Sequence, residues 1–172
     1  LARTAGDPLT VAQRARAELQ SLDRAMPIED MRTMSADLRD QASGVRLSVV
    51  QMAVFAAIQA LLQEGEECLL IGPSWVSYEP SVAFAGGSVV WGEVDGDFMP
   101  QNIAEKISPK TRMIIINSPS NPTGAVFERP VLEEIRDLAV DHDLFAISDE
   151  IYEKIIYGHE HISIGSLPGM TE

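Results

Sequence analysis

The sequence is short of several things that would open particular functions to it. Its 172 residues include a single cysteine, Cys68, so no internal disulfide can form. With no basic-then-apolar leader preceding the rest, a reducing, cytoplasmic setting is expected. No run of about eighteen apolar residues occurs, which argues against a membrane-spanning helix. Positive charge is scarce: 13 Lys and Arg stand against 26 Asp and Glu, for a formal net charge of -13. A phosphate backbone or an anionic lipid surface repels such a chain, so the expected partners are small molecules or protein, with no nucleic acid and no membrane. No internal repeat or low-complexity tract is present. The hydrophobic share of 45% is too high for a disordered chain and sufficient for one domain with a real core.

Aromatic side chains are missing from the first part altogether. Residues 1–51 contain no Phe, Trp or Tyr, and their seven acidic side chains are balanced by seven arginines, so the whole -13 falls in residues 52–172. Without aromatics a segment lacks its largest contributors of buried area. Val11, Ala15, Leu19 and Leu22 fall at helical spacing, as do Met31, Met34 and Leu38, and predict a helical N-terminal arm. Two domains of different character are therefore expected: 1–51, of unclear origin, and 52–172.

From Met52 the pattern becomes regular. Met52–Gln63 is apolar nearly all round and ends at Glu64-Gly65, which predicts a buried helix. Apolar runs at 68–71, 88–94, 112–116 and 144–147 predict strands, and the stretches 76–85, 101–107, 130–139 and 150–156 between and after them predict helices. Strands apolar on both faces alternating with helices imply an α/β fold, a mostly parallel sheet with helices on both faces. In such sheets ligands collect beyond the carboxyl ends of the strands.

The loops at those ends carry Gly72-Pro73-Ser74-Trp75-Val76-Ser77-Tyr78, then Asn117-Ser118-Pro119-Ser120-Asn121-Pro122-Thr123-Gly124, then Ser148-Asp149-Glu150-Ile151-Tyr152. Trp75, Asn121, Asp149 and Tyr152 bring an indole, a carboxamide, a carboxylate and a phenol to one edge, a set suited to a flat aromatic ligand with a ring nitrogen and a ring oxygen. Each also has a local explanation. Asn121-Pro122-Thr123-Gly124 fits a type I turn, Ser148 or Asp149 fits a helix N-cap, and Trp75 and Tyr152 fit core or interface positions. His159-Glu160-His161 reads as a polar loop, because two histidines at i,i+2 with no third ligand fall short of a metal site. Cys68 reads as a small buried hydrophobe.

These three strings, in this order and spacing, resemble the large domain of the class I/II, fold-type I aminotransferases of the aspartate-aminotransferase-like branch, which depend on pyridoxal 5′-phosphate (PLP). The resemblance covers residues 52–172. It implies amino-group transfer from an amino acid to a 2-oxo acid in a homodimer. Asp149 would pair with the pyridine nitrogen, keeping the ring an electron sink. Asn121 and Tyr152 would hydrogen-bond the ring's phenolic oxygen, and Trp75 would stack on the ring face.

The sequence also departs from that family. No Schiff-base lysine is identifiable: the three lysines are Lys106 and Lys110, expected at the wrong end of the sheet, and Lys154, expected to be solvated. The small-residue turn that cradles the phosphate in the family is matched here by Val49-Val50-Gln51, whose branched side chains hinder close backbone approach, though a helix N-terminus at Met52 would still attract an anion. The expectation is thus a fragment, inactive alone, with residues 1–51 a fusion, a shifted reading frame or a genuine lineage-specific arm. The alternative is a non-catalytic acidic α/β module that binds PLP weakly or binds a protein partner.

Overall fold

The computed structural model describes residues 34–170 together with Thr10, Gln13, Ala17 and Ser21, which are helical; side chains along the chain from 34 onward are described from Ser48. The expected helix positions Val11, Ala15, Leu19, Leu22 and Met31 lie outside the described residues. The chain divides into two compact units, residues 1–48 and 49–172, and the site lies in the second.

Helix α1, Met34–Leu61, is followed by strand β1, Glu67–Ile71, helix α2, Tyr78–Phe84, and strand β2, Ser88–Val94. A two-residue strand β3, Pro100–Gln101, and a single turn of helix α3, Ile103–Lys106, lead into β4, Thr111–Asn117. Helix α4, Arg129–Asp141, strand β5, Phe145–Asp149, and a 3₁₀ turn at Ile164–Ser166 complete the order. The sheet runs β3-β2-β1-β4-β5. The β1·β2, β1·β4 and β4·β5 pairs are parallel, and only the short β2·β3 pair is antiparallel. This is the expected mostly parallel α/β sheet.

Residue alternation along β1 and β4 divides the core between the two sheet faces. Leu69, Ile71, Ile114 and Ile116 meet Ile103, Phe127, Leu132, Ile135, Ile164 and Leu167 in one cluster. Cys68, Leu70, Met113 and Ile115 meet Val54, Ile58, Leu62, Tyr78 and Val82 in the other. Successive side chains of a strand point to opposite faces, so apolar residues at every position require cover on both. Burial pushes the Cys68 thiol up to about 12, as befits a small hydrophobe with no charge to express.

Three expectations are corrected. The helix expected over Met52–Gln63 starts far upstream, at Met34, and is buried only along the i, i+4, i+8 stripe Val54, Ile58 and Leu62, while Met52 and Phe55 are exposed. Residues 49–51 are therefore interior to a helix, and no helix N-terminus exists at Met52. The helix expected over 150–156 is instead a run of turns, with Glu153 N–H donating to Glu150 O and Ile155 N–H to Tyr152 O. The Glu150 side chain is drawn to Ser148 and His161, described below, although the bond from Ile151 N–H to Asp149 Oδ1 is of the kind that opens a helix. Among the described residues no helix is long and apolar enough to cross a membrane.

Ile114 is 1% exposed at the centre of one cluster. Replacing it with alanine should cost about 2–5 kcal/mol, read as a lowered urea midpoint with an unchanged slope.

Candidate functional site

The carboxyl ends of β4 and β5 stand side by side, with Asn117 in register with Asp149. Asp149 is buried, 7% exposed, and every polar atom of its surroundings matters because an unpaired carboxylate is costly away from water. Its Oδ2 accepts a 2.7 Å hydrogen bond from the Tyr78 hydroxyl, and its Oδ1 accepts a longer 3.2 Å bond from Ile151 N–H. Asn117 Nδ2 donates to the Asp149 backbone carbonyl at 3.1 Å, and Asn117 Oδ1 accepts from Asn121 N–H at 2.7 Å. Asn121 Nδ2 in turn stands 3.4 Å from the Tyr152 hydroxyl. The Trp75 ring meets the Tyr78 ring edge-on, with centroids 5.4 Å apart and planes at 82°.

The structure thus links all four expected residues, in two pairs. Asn121 and Tyr152 share the wall of an open cleft of about 450 Å³, beside Pro122, Val126, Ile155 and Tyr157. Trp75 and Asp149 do not line that cleft; they are joined to each other through Tyr78, and to Asn121 through Asn117. Tyr78, Asn117, Ser120 and Thr123 line a second cavity of about 10 Å³, room for a single water, whose wall includes none of the four expected residues.

Tyr78 and Asn117 were not singled out as site residues by the sequence reading. Tyr78 lies 71 residues from its partner, so no local pattern pairs them, although it closes the Trp75–Tyr78 string. Burial first, then the Asp149 carboxylate it bonds, push the Tyr78 hydroxyl far above its ordinary value, so it stays a proton donor. The turn at Asn121 differs from a simple type I turn. Gly124 N–H reaches back to Ser120 O at 2.8 Å, and Ser120 N–H bonds Ala125 O at 2.9 Å. Gly124 has φ +75°, which glycine adopts at no steric cost.

Ahead of Tyr152 the loop is tied down by Glu150. Its Oε1 accepts from Ser148 Oγ at 2.7 Å, and its Oε2 meets His161 Nε2 at 2.8 Å. Burial pushes the Glu150 carboxyl up, but hydrogen bonds with Ser163, His161 and Ser148, together with the His161 charge, outweigh it and leave it below its ordinary value. His159 faces a different partner, Glu128, at 3.9 Å.

The lysines stand apart from this network. Lys110 precedes β4 at its amino end, as expected. Lys106 bonds Glu93 at 2.6 Å near the carboxyl end of β2, which corrects its expected place, but β1 and β4 separate β2 from β5. Lys154 is exposed and 3.5 Å from Glu153.

The donor set suits a 3-hydroxypyridine ring. Each carboxylate oxygen can accept two hydrogen bonds, so Asp149 Oδ1, held only by one long bond, retains capacity for a protonated ring nitrogen. The 3.4 Å separation of Asn121 Nδ2 and the Tyr152 hydroxyl satisfies neither well and leaves both able to donate to a phenolic oxygen. Residues 49–51, which the resemblance sets against the phosphate, lie inside α1 and present no free backbone N–H.

Comparison with known proteins bears on the same residues. The family model described as aminotransferase class I and II matches residues 29–171. The aspartate/prephenate aminotransferase of Thermus thermophilus is 44% identical over 119 residues, 67% of this chain and 31% of its own length. Kynurenine–oxoglutarate transaminase 1 of Mus musculus is 40% identical over 135 residues, 70% of this chain and 32% of its own. The crystal structure of an aromatic aminotransferase from Pyrococcus horikoshii superposes with a TM-score of 0.67 at 44% identity, covering 72% of this chain and 34% of that one. The chain spans about a third of the length of the relatives it matches.

Two measurements test the network. Tyr78→Phe removes the hydroxyl and leaves the buried Asp149 one donor short, so it should lower unfolding free energy by about 1–3 kcal/mol in urea titrations. A carboxyl whose folded pKa lies below its unfolded value adds stability that is fully present above the unfolded pKa and lost as pH falls through the folded one. Glu150→Gln should accordingly cost stability above the ordinary carboxyl value of 4.5, and the gap from the parent should close as pH falls below it.

Proposed function

Because this chain belongs to the class I and II aminotransferases, we propose that it supplies the ring-binding part of a PLP-dependent aminotransferase acting on an amino acid and a 2-oxo acid. The observation that carries this reading is the continuous line of contacts from Trp75 through Tyr78, Asp149 and Asn117 to Asn121 and Tyr152. When bound, PLP supplies an electron sink for the substrate's α carbon. The chain's own residues hold and polarise the ring. Asp149 offers a buried negative charge to the ring nitrogen. The Tyr78 hydroxyl, a permanent donor, fixes which way that carboxylate points. Asn121 and Tyr152 offer donors to the ring oxygen, and the Trp75 indole offers an apolar face for stacking.

Homodimerisation and a cytoplasmic location belong to the same proposal, as does a boundary near residue 51 between the arm and the cofactor-binding part. The last draws support from the change in aromatic content and charge at that point. Catalysis needs a deprotonated amine beside the substrate's α carbon. Lys154 is exposed and near Glu153, Lys106 is held by Glu93, and Lys110 stands at the opposite edge. The 172-residue polypeptide is therefore expected to hold the ring without turning over an amino acid. A sensitive coupled assay for 2-oxo acid formation checks this, and measurable turnover would refute it.

PLP should quench Trp75 fluorescence, measured with Trp91→Phe as background. A charge-assisted hydrogen bond contributes about 1.5–3 kcal/mol, so Asp149→Ala should weaken the titration about ten- to a hundredfold, with circular dichroism confirming the fold. A tryptophan signal indifferent to PLP would leave the non-catalytic protein-binding module as the surviving reading.

A further inference from the structure

We propose that the site of this chain recognises the 3-hydroxypyridine ring alone and gains no affinity from the cofactor's phosphate. The inference rests on the ring-binding reading above and asks what the second half of the ligand would meet. Leu62, at the end of the α1 stripe, is the nearest neighbour of a Cβ built at Gly87, just ahead of β2, so α1 runs antiparallel to the strands. Val50, about three turns upstream of Leu62, then lies toward their carboxyl ends. Val50 packs against the same cluster as Trp75 and Ile147. The helix therefore brings to the sheet face where Trp75 packs the stretch that the resemblance sets against the phosphate.

That stretch offers an anion nothing. Backbone N–H groups bind phosphate when they are free, at a helix start or in a glycine-rich turn. Residues 49–51 are fifteen or more positions into Met34–Leu61, where each N–H is used by the carbonyl four residues earlier. The side chains there are two valines and a glutamine, and Val49 is 58% exposed. Compensating cations are scarce among the described residues. Arg112 faces Glu66 and Asp143, Arg129 faces Glu133, and Lys154 faces Glu153. A phosphate dianion placed there would enter a chain of net charge -13 with no free backbone N–H at residues 49–51 to offset the repulsion.

The ring end is unaffected by this loss. Asp149, Asn121 and Tyr152 come from β5, the loop after β4 and the turns after β5, none of which depends on the α1 backbone for its bonds. The ligand class is thus a 3-hydroxypyridine without its phosphate ester.

Pyridoxine and pyridoxine 5′-phosphate separate the terms, since neither carries an aldehyde that could react with surface lysines. Calorimetric titration of the whole chain, with Trp75 fluorescence as a second readout, should give dissociation constants within about threefold of each other. Both should vary little with salt, and both should weaken together in Asp149→Asn and in Tyr152→Phe. Phosphate ester binding more than about tenfold tighter than pyridoxine, or displacement of it by inorganic phosphate, would overturn the proposal while leaving the ring reading intact. If neither compound binds, or if both bind equally well to the parent, Asp149→Asn and Tyr152→Phe, the ring reading fails and the proposal with it.

Discussion

A carboxylate with 7% of its surface in contact with water needs partners, and the partners of Asp149 organise the strand-end loops around it. The Tyr78 hydroxyl comes from the start of α2, the Asn117 amide from the last residue of β4, and the Ile151 N–H from the turn after β5. Three separate connections are thereby held to one residue. Removing that acid would leave the tyrosine donor buried without an acceptor, so the same atoms that would face a ring nitrogen also hold the loops in place. Structure and ligand recognition are not separable here, because the polar group that makes the site possible is also the one whose burial must be satisfied.

What lets a buried acid sit there is the sheet beneath it. Parallel strands covered on both faces deliver their side chains alternately to two apolar clusters, so the first polar position beyond each strand falls at the same edge. β4 stays buried from Met113 to Asn117, and the change from isoleucine to asparagine at its end marks where the core stops and the site begins. Asn117 has a place in both. Its backbone pairs with β5, while its side chain bonds the Asp149 carbonyl and the N–H of Asn121.

Much of this was legible in the sequence because the signals are local. Ser88–Val94 is a strand with the expected bounds, and the apolar runs of β1, β4 and β5 are each bounded to within a residue or two. The α4 periodicity opposite Pro130 is equally plain. What escaped was decided by distant partners. Glu150–Ile156 has helical composition and Asp149 Oδ1 accepts the Ile151 N–H as a helix cap would, but Glu150 is held by Ser148 and His161 and the segment stays in turns. Tyr78 reads as one more aromatic of an apolar helix until Asp149 is placed against it. β3 is too short to leave a pattern, and Lys106 is carried to the carboxyl end of β2 by an ion pair with Glu93 that its neighbours in sequence do not announce.

The upstream half of α1 carries the sharpest conflict between local signals. Its alanines, leucines and glutamines favour helix, whereas Gly44, Val45, Ser48, Val49 and Val50 do not, and the helix runs through them all the same. A helix that passes without interruption through Val49-Val50-Gln51 uses for its own ladder the N–H groups that an interrupted chain would present to a ligand. Anion binding requires the opposite of that continuity, a break. The ring contacts place no such demand on α1, because each comes from the end of a strand whose position is set by the sheet. The strand-end contacts and the backbone of residues 49–51 therefore belong to independent parts of the fold, and the course of α1 through Val49 and Val50 leaves the bonds of Asp149, Asn121 and Tyr152 as they are.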